Sequence, residues 1–131
     1  MRIHDFMTTN VSTCSPDTTL DRATSVMWDH NCGCLPVLVD GRVVGVLTDR
    51  DVAVCAWSQG QSLGHLTVDQ AMAHHAITIK DEADVEAARQ VMRTHNIHRL
   101  PVIDANDLLV GIVSDGDLAR LPRRARHEAI R

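Results

Sequence analysis

Two short polar motifs in this sequence place a hydroxyl and a carboxylate three residues apart. They are Thr48-Asp49-Arg50-Asp51 and Ser114-Asp115-Gly116-Asp117, and each directly follows an apolar run. A Ser/Thr-x-x-acidic motif is typical of a helix N-terminus, where both side chains cap free backbone N–H groups. The same groups could bind a ligand, because a helix N-terminus favours anions and a carboxylate accepts hydrogen bonds from both hydroxyls of a sugar diol. The motif alone leaves capping and ligand binding open.

Both motifs belong to a repeat that extends over most of the chain. A shift of 65 positions places Met7 on Met72, and Leu35-Pro36-Val37 on Leu100-Pro101-Val102. After one inserted residue in a turn the shift becomes 66, and Gly45 falls on Gly111. A register held over this length indicates an internal duplication. We predict repeat 1 at residues 1–60, a connector at 61–67, repeat 2 at 68–121 and a basic C-terminal tail at 122–131.

Each copy has the same predicted order of elements, β-α-β-β-α. The first helix of each copy carries apolar residues at helical spacing, namely Leu20, Ala23 and Met27, then Val85, Ala88 and Met92. A hairpin follows, since Asp40-Gly41 between two apolar runs is a hairpin signal. The predicted strands are 11–14, 35–39 and 43–47, then 76–79, 100–103 and 108–113. The closing helices, each of which begins inside a polar motif, are predicted at 49–57 and 115–121.

Composition restricts the class of protein. The chain of 131 residues is 44% hydrophobic and 23% charged, as in globular domains. One copy of about 60 residues would be marginal alone. A net charge of −4 and an aromatic content of 2% argue against nucleic acid as a partner. Because we find neither a signal-peptide pattern nor an apolar run of membrane-spanning length, we expect no membrane association, a cytoplasmic location and reduced cysteines.

The duplicated unit, with Leu-Pro-Val before the hairpin and Gly-Val-Leu-Thr-Asp-Arg-Asp after it, resembles the CBS domain pair, or Bateman module, of free-standing bacterial type. The resemblance covers about residues 5–120. It implies an α/β (α+β) fold in which two tandem repeats pack with pseudo-twofold symmetry as one module, commonly a homodimer. It also implies a non-catalytic regulatory module that binds AMP, ADP, ATP, NAD(H) or S-adenosylmethionine in clefts between the repeats, and that reports to a regulated protein partner.

The same resemblance implies the ribose-binding residues. Asp51 and Asp117 would accept the ribose hydroxyls, and the hydroxyls of Thr48 and Ser114 would contact ribose or phosphate. The first strand of the opposite repeat would complete each cleft, so that Asp117 works with Thr13 and Cys14, and Asp51 with Thr78 and Ile79. The β-propensity of threonine explains Thr13 and Thr78 equally well. The adenine would lie near residues that are core first and pocket second: Pro36, Val37, Pro101 and Val102.

The phosphate side differs between the two copies. His98-Arg99 precedes Leu100, where related modules place phosphate-contacting bases, whereas the matching Gly33-Cys34 carries no charge. Arg50 likewise matches the uncharged Gly116. We therefore predict unequal occupancy, with one cleft favouring a phosphorylated ligand. Surface salt bridges are the alternative role for Arg50 and Arg99. The tail arginines, which are Arg123, Arg124, Arg126 and Arg131, fit a solvated helical end or a contact to a partner or phosphate.

Two other functions stay open. The first is a protein-interaction or stress-stability module whose clefts remain empty. The second is a thiol or metal sensor at Cys32 and Cys34, since thiolates beside His30 suit zinc. Against a metal, Cys32 matches the apolar Ile97, and the C-x-C spacing lacks a second ligand pair. We find no nucleophile with a base and no glycine-rich phosphate loop, so we expect neither enzyme activity nor a catalytic cofactor.

Overall fold

The computed structural model describes residues 1–121, which form two compact units. Unit 1 contains Met1–Val11 together with the chain from Ile77 onward, and unit 2 contains Ser12–Ala76. Each unit thus combines segments from both sequence repeats. The predicted repeat boundaries at 60 and 68 concern the duplication in sequence and stay a prediction. The predicted basic tail at 122–131, with its four arginines, lies outside the described residues.

Unit 2 is built on a two-stranded hairpin. Strands β1 (Cys34–Val39) and β2 (Arg42–Thr48) pair antiparallel around Asp40-Gly41, whose φ angles of 52° and 78° are both positive, as a type I′ turn requires. Helix α1 (Leu20–Asp29) precedes the hairpin, and helix α2 (Asp49–Gln59) follows it. The short helix α3 (Val68–Ala71) comes from the start of the second repeat. The predicted hairpin and both predicted helices are confirmed.

Unit 1 repeats this arrangement with one more strand. Strand β3 (Ile79–Lys80) runs parallel to β4 (Arg99–Ile103), which pairs antiparallel with β5 (Leu109–Ser114). Helix α4 (Val85–His95) lies between β3 and β4, and helix α5 (Asp115–Ala119) follows β5. Both units contain helices and a sheet, so the predicted α/β (α+β) class is confirmed.

The first strand of each repeat is shorter than predicted. In the segment 11–14, Cys14 alone makes a strand-like bridge, parallel to Val37, and the predicted strand 76–79 is Ile79–Lys80. The reason in unit 2 is local, because the chain turns immediately after Cys14, where the Thr18 N–H donates to the Ser15 carbonyl at 3.1 Å. Helix α5 also ends two residues before the predicted 121.

Matched glycines in the two hairpins allow a neighbouring segment to approach closely. In unit 2, Val46 and Ala73 exchange two backbone hydrogen bonds of 3.1 and 3.0 Å beside Gly45. In unit 1, Thr8 and Ile112 exchange two of 2.9 Å beside Gly111. The approaching segment of each unit comes from the N-terminal end of the other sequence repeat. This exchange explains why the compact units do not coincide with the repeats.

Each unit has its own aliphatic core. In unit 2 it is centred on the fully buried Leu35, Val37 and Leu47 under helices α1 and α2. In unit 1 the equivalent Leu100, Val102 and Val113 are also fully buried. The apolar helix positions predicted from the sequence are confirmed as core residues: Leu20, Ala23, Met27, Val85, Ala88 and Met92. The core therefore fixes the ends of β2 and β5, where the polar motifs begin.

Candidate functional site

The first polar motif forms the turn between β2 and α2. The Oγ1 of Thr48 accepts the backbone N–H of Asp51 at 3.1 Å, and Oδ2 of Asp51 accepts the backbone N–H of Thr48 at 2.9 Å. This reciprocal pair confirms the predicted cap. The second carboxylate oxygen of Asp51, Oδ1, has no hydrogen bond or ion pair within residues 1–121. We call residues 48–51 the first turn.

The second turn, residues 114–117, has the same cap with one added contact. Ser114 Oγ accepts the Asp117 N–H at 3.0 Å, and Asp117 Oδ2 accepts the Ser114 N–H at 2.9 Å. Here Oδ1 also accepts a hydrogen bond of 2.6 Å from Nη2 of Arg120. The Asp117 side chain is 17% exposed and the Arg120 side chain 77%. The two turns are therefore identical in their caps but differ in the electrostatic environment of the carboxylate.

The first residue of the helix after each hairpin lies beside the residue just before the first strand of that hairpin. Asp115 Oδ2 lies 2.7 Å from Nδ1 of His98, and the Asp115 N–H donates to the His98 carbonyl at 2.9 Å. In unit 2 the same backbone bond joins Asp49 to Gly33 at 3.0 Å, and a Cβ on Gly33 would lie 2.9 Å from Asp49 Oδ2. Gly33 thus leaves room for the carboxylate of Asp49, whereas the His98 ring lies within hydrogen-bond distance of Asp115.

Arg50 and Arg99 both have exposed side chains close to the turns. Arg99 pairs with Ser114 in the β4–β5 register, and Arg50 lies in the first turn itself. Neither guanidinium forms an ion pair with any residue that the structure describes. The predicted alternative of surface salt bridges therefore receives no support from residues 1–121.

The first-strand candidates lie beside the candidate adenine residues of their own unit. Cys14 bridges to Val37 in unit 2, and Ile79 pairs with Val102 in unit 1. Thr13 and Thr78 are half-buried next to them. The side chains proposed to face adenine are all buried in the unit cores, and they are Pro36, Val37, Pro101 and Val102. Their core role is confirmed.

Cys14 is held in its thiol form. Burial, together with a smaller effect of the nearby Cys34, raises the pKa of Cys14 to about 11. A thiol with a raised pKa is a poor nucleophile and a poor metal ligand, because both roles require the thiolate. Cys32 packs against the core of unit 2, as its match Ile97 does in unit 1.

Within residues 1–121, no cluster of three or more His, Cys, Asp or Glu side chains could hold a metal ion. The helices of the same range are also too short or too polar for any of them to cross a membrane.

Each unit has a surface groove that the sequence does not predict. The groove of unit 1 has a volume of about 290 Å³ and that of unit 2 about 360 Å³. Their linings match position by position in the duplication: Arg89, Met92, Arg93, Asn96, Ile97, His98, Asp115 and Leu118 correspond to Thr24, Met27, Trp28, Asn31, Cys32, Gly33, Asp49 and Val52. Two residues of these linings were candidates from the sequence, namely His98 for phosphate binding and Cys32 for a thiol or metal site. Neither Asp51 nor Asp117 lines either of these two grooves.

Comparisons with known proteins identify the family. The CBS domain family model matches residues 3–56 and 68–124. The CBS domain-containing protein YhcV of Bacillus subtilis is 43% identical over 117 residues, which cover 89% of this chain and 82% of that protein.

Three solved structures share the fold. The CBS domain pair of protein MJ0100, in complex with 5′-methylthioadenosine and S-adenosyl-L-methionine, has a TM-score of 0.80 at 26% identity, covering 92% of this chain and 98% of that one. CBSX2 in complex with AMP has a TM-score of 0.79 at 28% identity, covering 99% and 98%. Hypoxic Response Protein I with two coordinated zinc ions has a TM-score of 0.81 at 30% identity, covering 92% and 98%. This chain belongs to the CBS domain family and is a CBS domain pair.

Proposed function

We propose that this chain is a non-catalytic regulatory module that binds an adenosine-containing ligand at its two turns. The candidates are AMP, ADP, ATP, NAD(H) and S-adenosylmethionine. The observation that carries the proposal is Asp51, whose Oδ2 completes the helix cap while Oδ1 stays available at the N-terminus of α2. An available carboxylate oxygen can accept hydroxyl hydrogens of a ribose diol. Two solved CBS pairs that hold adenosyl compounds or AMP support the ligand class.

The hydroxyls of Thr48 and Ser114 can act in the same site without breaking the caps. Each oxygen accepts one backbone N–H, of Asp51 or of Asp117. A hydroxyl that accepts a hydrogen bond still has its own hydrogen to donate. We assign that hydrogen to a ribose or phosphate oxygen of the ligand, and we assign Asp51 and Asp117 to the ribose hydroxyls.

The remaining predicted residues keep their proposed roles around this centre. Arg50, His98 and Arg99 would contact phosphate, although His98 would first have to leave its contact with Asp115. The half-buried Thr13, Cys14 and Thr78 and the buried Ile79 would border the ribose. The adenine would lie near strands β1 and β4, at Pro36, Val37, Pro101 and Val102. Since these side chains are core residues, we expect the base to reach only their edges and backbone.

Ligand titration tests this proposal directly. The protein is titrated calorimetrically with AMP, ATP, NADH and S-adenosylmethionine, and the tightest ligand is repeated with Asp51→Asn and Asp117→Asn. The amide can still accept the backbone N–H but loses the charge, so we expect affinity to fall about 10- to 100-fold, the range of a charged hydrogen bond. Asp49→Asn, at the start of the same turn and two positions before Asp51, is the matched control. This variant should bind the ligand with unchanged affinity. If none of the four ligands binds, the regulatory ligand-binding function is wrong.

We extend the proposal to a cytoplasmic homodimer that reports to a regulated protein partner. The side chains of Trp28 and Trp57 are 85% and 84% exposed on α1 and α2, with Val54, 50% exposed, also on α2. We propose that these exposed apolar side chains belong to an interaction surface. The occupant we propose is helix α4 of unit 1 in a second copy, because α4 carries Arg93 at the position that matches Trp28, and an arginine stacks favourably on an indole.

A further inference from the structure

One contact makes the second turn different from the first. Nη2 of Arg120 donates to Oδ1 of Asp117 at 2.6 Å. In the duplication the position of Arg120 is occupied by Val54, which has no donor. The carboxylate oxygen that remains available on Asp51 is therefore already hydrogen-bonded on Asp117. The reciprocal hydrogen bonds of the two caps are otherwise the same.

The Arg120 guanidinium is well placed to exchange partners. Its side chain is 77% exposed, whereas the Asp117 side chain is 17% exposed. An ion pair with one solvent-exposed partner contributes little to stability, so the arginine can leave at small cost. A phosphate group offers the guanidinium two parallel charged hydrogen bonds in place of one carboxylate contact. Adenosine, which carries no anionic group, offers no such replacement.

From this contact we infer that Arg120 is a specificity-determining residue, which makes the second turn select phosphorylated adenosyl ligands. The inference rests on the proposed function of the two turns. When ribose hydroxyls approach Asp117, they compete with Arg120 for Oδ1. With a phosphorylated ligand, the displaced guanidinium binds the phosphate. Asp117 then has the ribose hydroxyls as partners, and Arg120 again has an anionic partner. With adenosine, the guanidinium loses its partner, and binding at this turn is weaker.

The first turn lacks this competition. Arg50 adds a positive charge there, but its guanidinium has no hydrogen bond to Asp51 within the described part of the chain. A phosphate can gain a contact from Arg50, whereas an unphosphorylated ligand loses nothing by binding. The first turn therefore accepts both classes of ligand, and the second turn discriminates between them.

The test measures the dissociation constants of adenosine and AMP by calorimetry in variants with a single intact turn. In an Asp51→Ala background only the second turn remains, and we expect AMP to bind roughly tenfold more tightly than adenosine, about the effect of one lost charged contact. Adding Arg120→Ala should tighten adenosine binding and weaken AMP binding, so that the ratio falls, while the phosphate contacts proposed for His98 and Arg99 remain. Arg120→Lys keeps the charge but loses the paired donors, and should give an intermediate ratio.

The matched control is Arg120→Ala in an Asp117→Ala background, where only the first turn remains and neither constant should change. If adenosine and AMP bind but Arg120→Ala leaves their ratio unchanged at the second turn, the inference is wrong and the proposed function stands. An equal effect in the control background would also overturn it, since Arg120 would then act elsewhere. If neither compound binds any variant, including the otherwise unmodified protein, the proposed function itself fails. Circular dichroism of each variant confirms that the comparison is between folded proteins.

Discussion

A Cβ atom on Gly45 would lie 2.4 Å from the backbone carbonyl oxygen of Ala73. The two residues belong to different sequence repeats but to the same compact unit. The matched position in the other unit shows the same crowding, since a Cβ on Gly111 would lie 2.9 Å from the Thr8 carbonyl oxygen. Both glycines therefore serve the exchange of N-terminal segments between the repeats, and each hairpin accepts a backbone that a larger residue would exclude.

Gly45→Ala should destabilise the protein. Because the clash is with the carbonyl oxygen of Ala73, and Ala73 is held by two backbone hydrogen bonds to Val46, relief requires the Ala73 segment to move. We expect a loss of about 1–3 kcal/mol in the free energy of unfolding, the usual cost of an overpacked site. Chemical denaturation followed by circular dichroism measures it.

Gly64→Ala is the matched control for this substitution. The nearest atom to an added Cβ there is Asp21 Oδ2 at 3.6 Å, an ordinary contact. Its free energy of unfolding should stay within about 0.5 kcal/mol of the unmodified protein, as is usual for surface substitutions. A Gly45→Ala protein as stable as Gly64→Ala would show that the Ala73 segment does not require the glycine.

The caps make a prediction about stability that is separate from ligand binding. Thr48→Ala removes the acceptor of the Asp51 N–H and should cost about 1 kcal/mol in the free energy of unfolding. Thr48→Ser keeps the hydroxyl and should cost much less. Denaturation of both variants without ligand measures the difference. Equal stabilities for the alanine and serine variants would contradict a structural role for the hydroxyl.

Much of the fold follows from local sequence signals. The apolar spacing at Leu20, Ala23 and Met27 defines a helix face, and Asp40-Gly41 defines a type I′ turn, because each depends on residues close in the chain. The segment exchange could not be predicted in this way, since the partners of Met7 and Met72 are distant in sequence. The conserved position of Gly45 and Gly111 in the duplication signals a close approach, but not the identity of the approaching segment.

The candidate site was predictable to a similar extent. The two Ser/Thr-x-x-Asp caps follow from local spacing, and the structure shows both. The contact between Arg120 and Asp117 depends on the side-chain rotamer of Arg120 at the end of α5. The spacing of the two residues allows this contact, but it allows a solvent-exposed arginine equally well. The contact between His98 and Asp115 depends on how the residue before β4 lies beside the start of α5, which a sequence pattern does not supply.

The raised pKa of Cys14 predicts a loss of stability at alkaline pH. The pKa in the folded protein is about 11, against an ordinary value of 9.0. Below pH 9.0 both states hold the proton and the contribution is fully present. Between pH 9.0 and about 11 the unfolded chain releases the proton first, so the folded state loses stability as pH rises.

The contribution of Cys14 is isolated by comparing the protein with Cys14→Ala. Urea denaturation at several pH values from 8 to 11 gives the free energy of unfolding of each. Because the variant lacks this thiol, the difference in stability between the two proteins should shrink or reverse as the pH rises through this interval. A difference that is constant across the interval would contradict the protonated state of the buried thiol.

The proposed dimer predicts an asymmetric response to charge at Trp28. Because the side chain is 85% exposed, its replacement should leave the fold intact. Trp28→Glu places a carboxylate opposite Arg93 of the second copy, so the dimer should persist and become sensitive to salt. Adding Arg93→Glu creates like charges at that contact, and the double variant should be monomeric in sedimentation velocity experiments.

The same pair of variants separates two ways of joining the copies. If Trp28 instead faced Trp28 of the second copy, Trp28→Glu alone would place two carboxylates together and already dissociate the dimer. Arg93→Glu alone is informative as well, because it loses its ion pair with Glu86 at 3.3 Å and removes the cation that an indole attracts. Arg93→Glu should weaken the dimer, whereas Trp28→Glu should not. This difference is expected only if unit 2 of one copy pairs with unit 1 of the other.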